Sequence, residues 1–172
     1  MAITIATTVV AAGCSDPFSG DEGDDVFRGG YMLSFDDCYV HEWYDQRDIF
    51  NEFDVSATFF VTRFSQLKPG QIDMLKDLEG DGHEIDEIFY SPGDGPVVYG
   101  LGIDKVFDIP LGEIEEAFRR AQENSEVVIF FAHRPVETAR EGRNEIERSY
   151  LESIFKLARA YKLKSLTILE LP

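Results

Sequence analysis

A chain of 172 residues, 44% hydrophobic and 13% aromatic, has enough apolar material for one well-packed domain and is short for two. Its formal net charge of −17 repels phosphate backbones and anionic membranes, which argues against nucleic acid as a partner. A neutral ligand, or a cation held by carboxylates, is compatible with that charge. Two cysteines, Cys14 and Cys38, neither demand nor exclude a disulfide.

The amino terminus reads MAITIATTVVAAGCSDPFSGDEGDD. Its apolar run, Ala2 to Gly13, is too short to span a bilayer. The run resembles the hydrophobic part of a bacterial export signal, and AAGCSD resembles a lipoprotein processing site with Cys14 as the lipid-bearing residue. No Lys or Arg precedes the run, as export signals normally have. The other reading is a β-prone leader that packs on the domain or stays disordered. Ser15 to Asp25 is acidic and contains glycine, as linkers do. Residues 1–25 are therefore expected to be leader and linker, with the folded domain over 26–172. Export to the cell envelope, or secretion, is the expected localisation.

Tyr31 to Phe35 reads as a short buried strand, and Glu42 to Phe53 as a helix with Ile49, Phe50 and Phe53 on one side. Ser56 to Val61 (SATFFV) is β-branched and aromatic, hence a strand. Pro69 to Glu79 is a helix stopped by Gly80, Asp81 and Gly82, and His83 to Ile88 a third strand. Tyr90 to Asp108 is turn-rich, and VVYGLGIDKVF is a broken strand or a loop. Pro110 to Glu123 carries Ile114, Ala117, Phe118 and Ala121 at amphipathic helical spacing. Glu126 to Ala132 (EVVIFFA) is continuously apolar, which suits a parallel strand covered on both faces. Glu145 to Tyr161 reads as a helix with Asn144 and Glu147 as a capping box, and Ser165 to Leu169 as a closing strand. Strands alternating with helices predict an α/β fold with a mainly parallel sheet.

Sites in such folds form at the carboxyl ends of the strands. Asp36 and Asp37 follow the first strand and His133 follows EVVIFFA, so all three are expected on one face. Two carboxylates and a histidine there suit metal-assisted hydrolysis: one acid holds an ion, the other takes a proton from water, and the histidine protonates a leaving group. A solvated acidic turn and an ordinary hydrogen-bonded histidine fit the same spacing.

SFDDCYV, a helix and then SATFFV resemble the first motif and second strand of the polysaccharide deacetylases, the NodB-homology group. GQIDMLKDLEGDGHEI resembles their next helix and strand, VVIFFAHRPV the strand with their late histidine, and LESIFKLARAYKLKSLTILEL their closing helix and strand. The resemblance covers about two thirds of the chain, in two blocks. It implies an irregular, here incomplete, barrel of mainly parallel strands. It implies a hydrolase acting on carbon–nitrogen (non-peptide) or ester bonds, which removes acetyl groups from amino sugars or acetylated glycans, usually with zinc. Carried over by position, Asp36 is the general base, Asp37 a metal ligand and His133 the general acid.

The chain departs from that pattern in the middle. The family places two histidines, three residues apart, soon after GHEI, whereas here GHEI continues as DEIFYSPGDGP. The family's groove-lining arginine-proline-tyrosine segment is not recognisable either. The middle of the domain reads as deleted, with the join near Ile85 or Asp86 and the pattern resuming near Ile109. Catalytic zinc takes three protein ligands, and only Asp37 remains. His41, four residues on, is the first candidate replacement, with Cys38, Glu84, Asp86 and Glu87 behind it. Missing strands would leave exposed sheet edges that invite a homodimer. Three readings are therefore carried forward: a metal-dependent deacetylase with a rebuilt or lost site, a non-catalytic relative that binds carbohydrate or protein on the same scaffold, and a truncated product with neither role.

Overall fold

The computed structural model describes residues 27–87 and 100–171. The expected leader, with Cys14, and most of the turn-rich middle lie outside the described residues. The centre of the fold is β1 (Gly30–Asp37). Along one edge runs β5 (Val127–Ala132), parallel, from Gly30 opposite Val127 to Phe35 opposite Ala132. The other edge is shared between two strands. Gly30 to Met32 pair with β8 (Lys164–Leu166), and Ser34 to Asp37 pair with β2 (Thr58–Val61). Outside these lie β3 (Glu84–Glu87) against β2 and β4 (Leu101–Gly102) against β5. Every one of these pairings is parallel, and the order is β3-β2-β1-β5-β4 with β8 beside β1. The expected parallel α/β sheet is present. Among the described residues β3 and β4 do not pair, so no closed barrel forms. A small parallel ribbon of β6 (Arg134–Val136) and β7 (Glu145–Glu147) follows β5.

Side chains alternate across a strand, so β1 offers Tyr31, Leu33 and Phe35 to one face and Met32, Ser34 and Asp36 to the other. The first face carries the helices: α1 (Val40–Tyr44), α2 (Arg47–Phe53), α3 (Pro69–Gly80), α4 (Leu111–Asn124) and α5 (Arg148–Ala160). Phe35 stacks on Phe59 at 5.5 Å between ring centres and meets Phe50 at 5.9 Å, while Tyr31 meets Phe118 at 5.6 Å. Trp43, Phe50, Phe118 and Phe155 are fully buried in the same cluster. Each such side chain contributes about 1.5–3 kcal/mol through the water it sheds. The second face is deep only at its base, where Met32 and Leu166 are buried. Nearer the carboxyl ends, Phe60 and Phe131 remain half-buried. No helix among the described residues is long and apolar enough to cross a membrane.

Some boundaries differ from the sequence expectation for physical reasons. The first strand runs on to Asp37, so both acids are its last residues and not a turn beyond it. The helix expected over Glu42 to Phe53 is broken at Asp45 and Gln46 into α1 and α2. There the buried Gln46 amide donates to the Glu42 carbonyl at 3.3 Å, which satisfies one of the free carbonyls at the end of α1. Glu145 to Glu147 is a strand, and α5 starts at Arg148 without a side-chain cap. Glu145 is buried and bound by Arg140 and Arg134, and Glu147 accepts the Ala139 N–H at 3.2 Å, so neither is free to build a cap. The last strand shortens to β8 and ends in a 3₁₀ turn, Ile168–Glu170, capped by Thr167 and Glu170.

His83 is buried at the start of β3, where its Nδ1 accepts the Ala57 N–H at 3.1 Å and the Phe50 and Phe59 rings meet it edge-on. Loss of water on burial pushes its pKa down to about 4. The unfolded imidazole takes its proton near pH 6.5. This group's contribution is therefore complete above pH 6.5 and is lost as pH falls toward 4, by up to about 3 kcal/mol. Urea unfolding of the wild type should show that loss between pH 7 and pH 4 relative to His83→Gln, and the His83 resonances should titrate near pH 4.

Candidate functional site

Parallel register builds one row across the carboxyl edge of the sheet. Phe60 on β2 stands opposite Asp36 on one side and Asp86 on the other. Phe35 stands opposite Ala132, and one further step along both strands sets Asp36 beside His133. Gly102 stands opposite Phe131, and two further steps set Asp104 on the far side of His133. The row thus reads Asp86, Phe60, Asp36, His133, Asp104.

Three hydrogen bonds fix His133. Its backbone N–H donates to Asp104 Oδ1 at 3.1 Å, and its ring Nδ1 lies 2.6 Å from Asp104 Oδ2. The Trp43 indole N–H, reaching from α1, donates to the His133 carbonyl at 2.7 Å. Asp104 is fully buried, and the His133 side chain is 17% exposed. A carboxylate on Nδ1 sets that nitrogen as the donor and leaves Nε2 for a ligand. Next to His133, Arg134 bonds Glu42 at 2.9 Å and lies over the Tyr39 ring.

The electrostatics follow from this packing. The hydrogen bond to Asp104 raises the His133 pKa above its ordinary value against the opposing effect of burial, and the fields of Asp36 and Asp37 add to the rise. Burial raises the Asp36 carboxyl, although the His133 field and a 3.4 Å bond from the Ser34 hydroxyl oppose it. A carboxyl and an imidazole whose pKa values are both raised, side by side at the end of parallel strands, are a pair suited to exchanging protons or hydrogen bonds with one ligand.

Asp37 differs from its neighbour. Its φ is +94°, in the left-handed region, and its carbonyl accepts the Thr62 N–H at 2.7 Å. Such a conformation costs a non-glycine residue about 1–3 kcal/mol. Cys38 and His41 are exposed beyond it, His41 on α1. The chain's three histidines are His41, His83 and His133, and all are among the described residues. His83 is committed to Ala57 and His133 Nδ1 to Asp104. Glu84 accepts the Leu169 N–H at 3.2 Å at the opposite end of the sheet. Among the described residues no three His, Cys, Asp or Glu side chains are placed to hold a metal ion. The zinc set implied by the sequence resemblance, one aspartate and two histidines, does not fit these residues. Two clefts, of about 600 and 300 Å³, flank β3, one around His83 and one around Ile72 and Leu75; both touch the row at Asp86, and neither is lined by Asp36, His133 or Asp104.

Sequence reasoning places Asp36, Asp37 and His133 on one edge but does not reach Asp104 or Trp43. Asp104 follows a strand of two residues, too short to show a period. The strand-end rule that singles out Asp36 and His133 would have found it had LeuGly in GLGID been read as a strand.

No family model matches the chain, and no curated protein matches it. Among solved structures, the crystal structure of a mutant CE4 family pseudoenzyme with restored enzymatic activity overlaps 82% of this chain at 15% identity and a TM-score of 0.30. The present chain covers 44% of that one, less than half its length. The similarity to that structure is weak and remote.

Two outcomes follow. Asp37→Gly should stabilise the fold by about 1 kcal/mol in urea unfolding, because glycine adopts φ +94° freely; Asp37→Ala should not. Asp104→Asn removes the charge that holds the His133 proton. The His133 midpoint, followed by NMR, should fall, because the largest cause of its rise is removed.

Proposed function

We propose that this domain binds acetylated amino-sugar chains at the Asp36–His133 row and does not perform metal-dependent hydrolysis. It is, on this reading, a non-catalytic carbohydrate-binding relative of the polysaccharide deacetylases. The observation that carries the proposal is the asymmetry of the site. The half that handles protons and hydrogen bonds is built and buttressed by Asp104 and Trp43, while Asp37 stands without two histidine partners. The sequence blocks SFDD, ATFF and GHEI supply the ligand class. An Asp36 carboxylate accepts from a sugar hydroxyl or amide N–H; with Nδ1–H held by Asp104, His133 Nε2 accepts a sugar hydroxyl when the ring is neutral and donates to an acetyl carbonyl when it is protonated. A neutral glycan also meets no repulsion from a chain of net charge −17.

A second reading draws on the raised pKa values of Asp36 and His133. In it Asp36 takes a proton from water, the hydroxyl adds to the acetyl carbon, and His133 protonates the departing amine, with no metal.

The test is calorimetric titration of a fully acetylated chitin tetramer, with and without EDTA, beside an acetate-release assay. The expected result is chelator-insensitive binding without acetate release, weakened about tenfold or more in Asp36→Asn and in His133→Gln. Chelator-insensitive acetate release would support the second reading. Release abolished by EDTA, or no binding at all, would overturn the proposal.

A further inference from the structure

We propose that Phe107 and Phe131 form a stacking platform for the neighbouring sugar ring of a chain whose first ring lies at Asp36 and His133. The proposal rests on the carbohydrate reading above and names a subsite of it. Phe107 is 45% exposed, an unusual state for a phenylalanine in a chain with a full aromatic core. It is nevertheless held in place. Its N–H donates to the Asp104 carbonyl at 2.9 Å, so the turn that carries the His133 partner also carries this ring.

Gly102 lies beneath the ring. A Cβ there would lie 2.3, 2.6 and 2.7 Å from three Phe107 ring atoms. Its φ is not in the left-handed region, so the backbone does not require glycine; the ring does. Phe131, opposite Gly102 in the register, meets Phe107 edge-to-face at 5.7 Å and 82°. It meets His133 at 6.1 Å and 79°. Three aromatic rings therefore run in sequence from the exposed Phe107 to the buttressed His133, all beside the open face of the sheet.

A pyranose presents an apolar C–H face and a polar rim. A ring already fixed by its seat adds contact without losing freedom when the ligand arrives, which favours binding. Phe107 and His133 both adjoin Phe131, with ring centres 5.7 and 6.1 Å from its own. The sugar it would meet is the neighbour of the one at the row. Continuity with the row, and an uncharged platform on an acidic protein, select a neutral oligosaccharide as the occupant.

The test compares N-acetylglucosamine with its tetramer, by NMR titration and calorimetry, on purified full-length protein. Phe107→Ala should weaken the tetramer about fivefold to tenfold and leave the monosaccharide unchanged. Gly102→Ala should do the same by displacing the ring, and the double variant should be no worse than Phe107→Ala. Phe107→Tyr should restore tetramer binding, which separates stacking from a folding defect, and thermal unfolding should stay within a degree or two of wild type for Phe107→Ala. Equal loss for both sugars, or no loss for either, would overturn the platform while leaving the binding site at the row intact. Failure of both sugars to bind the wild type would overturn the carbohydrate reading and the platform together.

Discussion

A fully buried carboxylate is tolerated only when its oxygens are taken up. Asp104 meets that condition by giving both oxygens to one residue: Oδ1 to the His133 N–H and Oδ2 to its ring. The arrangement depends on parallel register, because only a residue two steps beyond Gly102 falls beside a residue two steps beyond Phe131. The same contact anchors β4, a strand of two residues at the edge of the sheet. Turn, edge strand and histidine are thus one unit. The pKa of His133, its orientation and the seat of Phe107 all depend on it.

The remainder of the site follows from strand direction. Every pairing in the main sheet is parallel, so the strand ends gather at one edge, and residues distant in sequence become neighbours there. The helix-covered face uses the odd-numbered side chains of β1 for the core. That leaves the even-numbered ones, Met32, Ser34 and Asp36, on the face that a closed barrel would fill. Because β3 and β4 do not pair among the described residues, that face is half open at Phe60 and Phe131. An acid lying there is desolvated enough to have a raised pKa yet still within reach of a ligand.

How much of this was legible in the sequence varies with range. Local signals located EVVIFFA, the amphipathic helix around Ile114 and Phe118, and the strand ends bearing Asp36 and His133. Long-range signals were not readable. Glu145 to Glu147 has the composition of a helix start but is extended because Arg134 and Arg140, on other segments, bind Glu145. The break after Tyr44 depends on where the buried Gln46 amide finds a carbonyl. Asp104 sits in a stretch without periodicity, and its importance appears only when a strand from elsewhere sets His133 beside it.

Asp37 remains the unreconciled residue, and it bears on what the site can do. Its strained φ of +94° is the kind of local cost that folds retain at working sites, yet no metal cluster stands around it among the described residues. Asp36 needs no such conformation, since it lies in regular strand and is coupled to His133 by its field. The adjacent acids therefore do different things. One belongs to a continuous row of hydrogen-bonding groups that has its own buried support in Asp104. The other turns the chain and accepts the Thr62 N–H through its carbonyl, a backbone role that glycine would fill with less strain. On the proposed reading, a site supported on one side only holds a neutral, hydrogen-bonding ligand; among the described residues no cluster of His, Cys, Asp or Glu is placed to share a cation with the two acids.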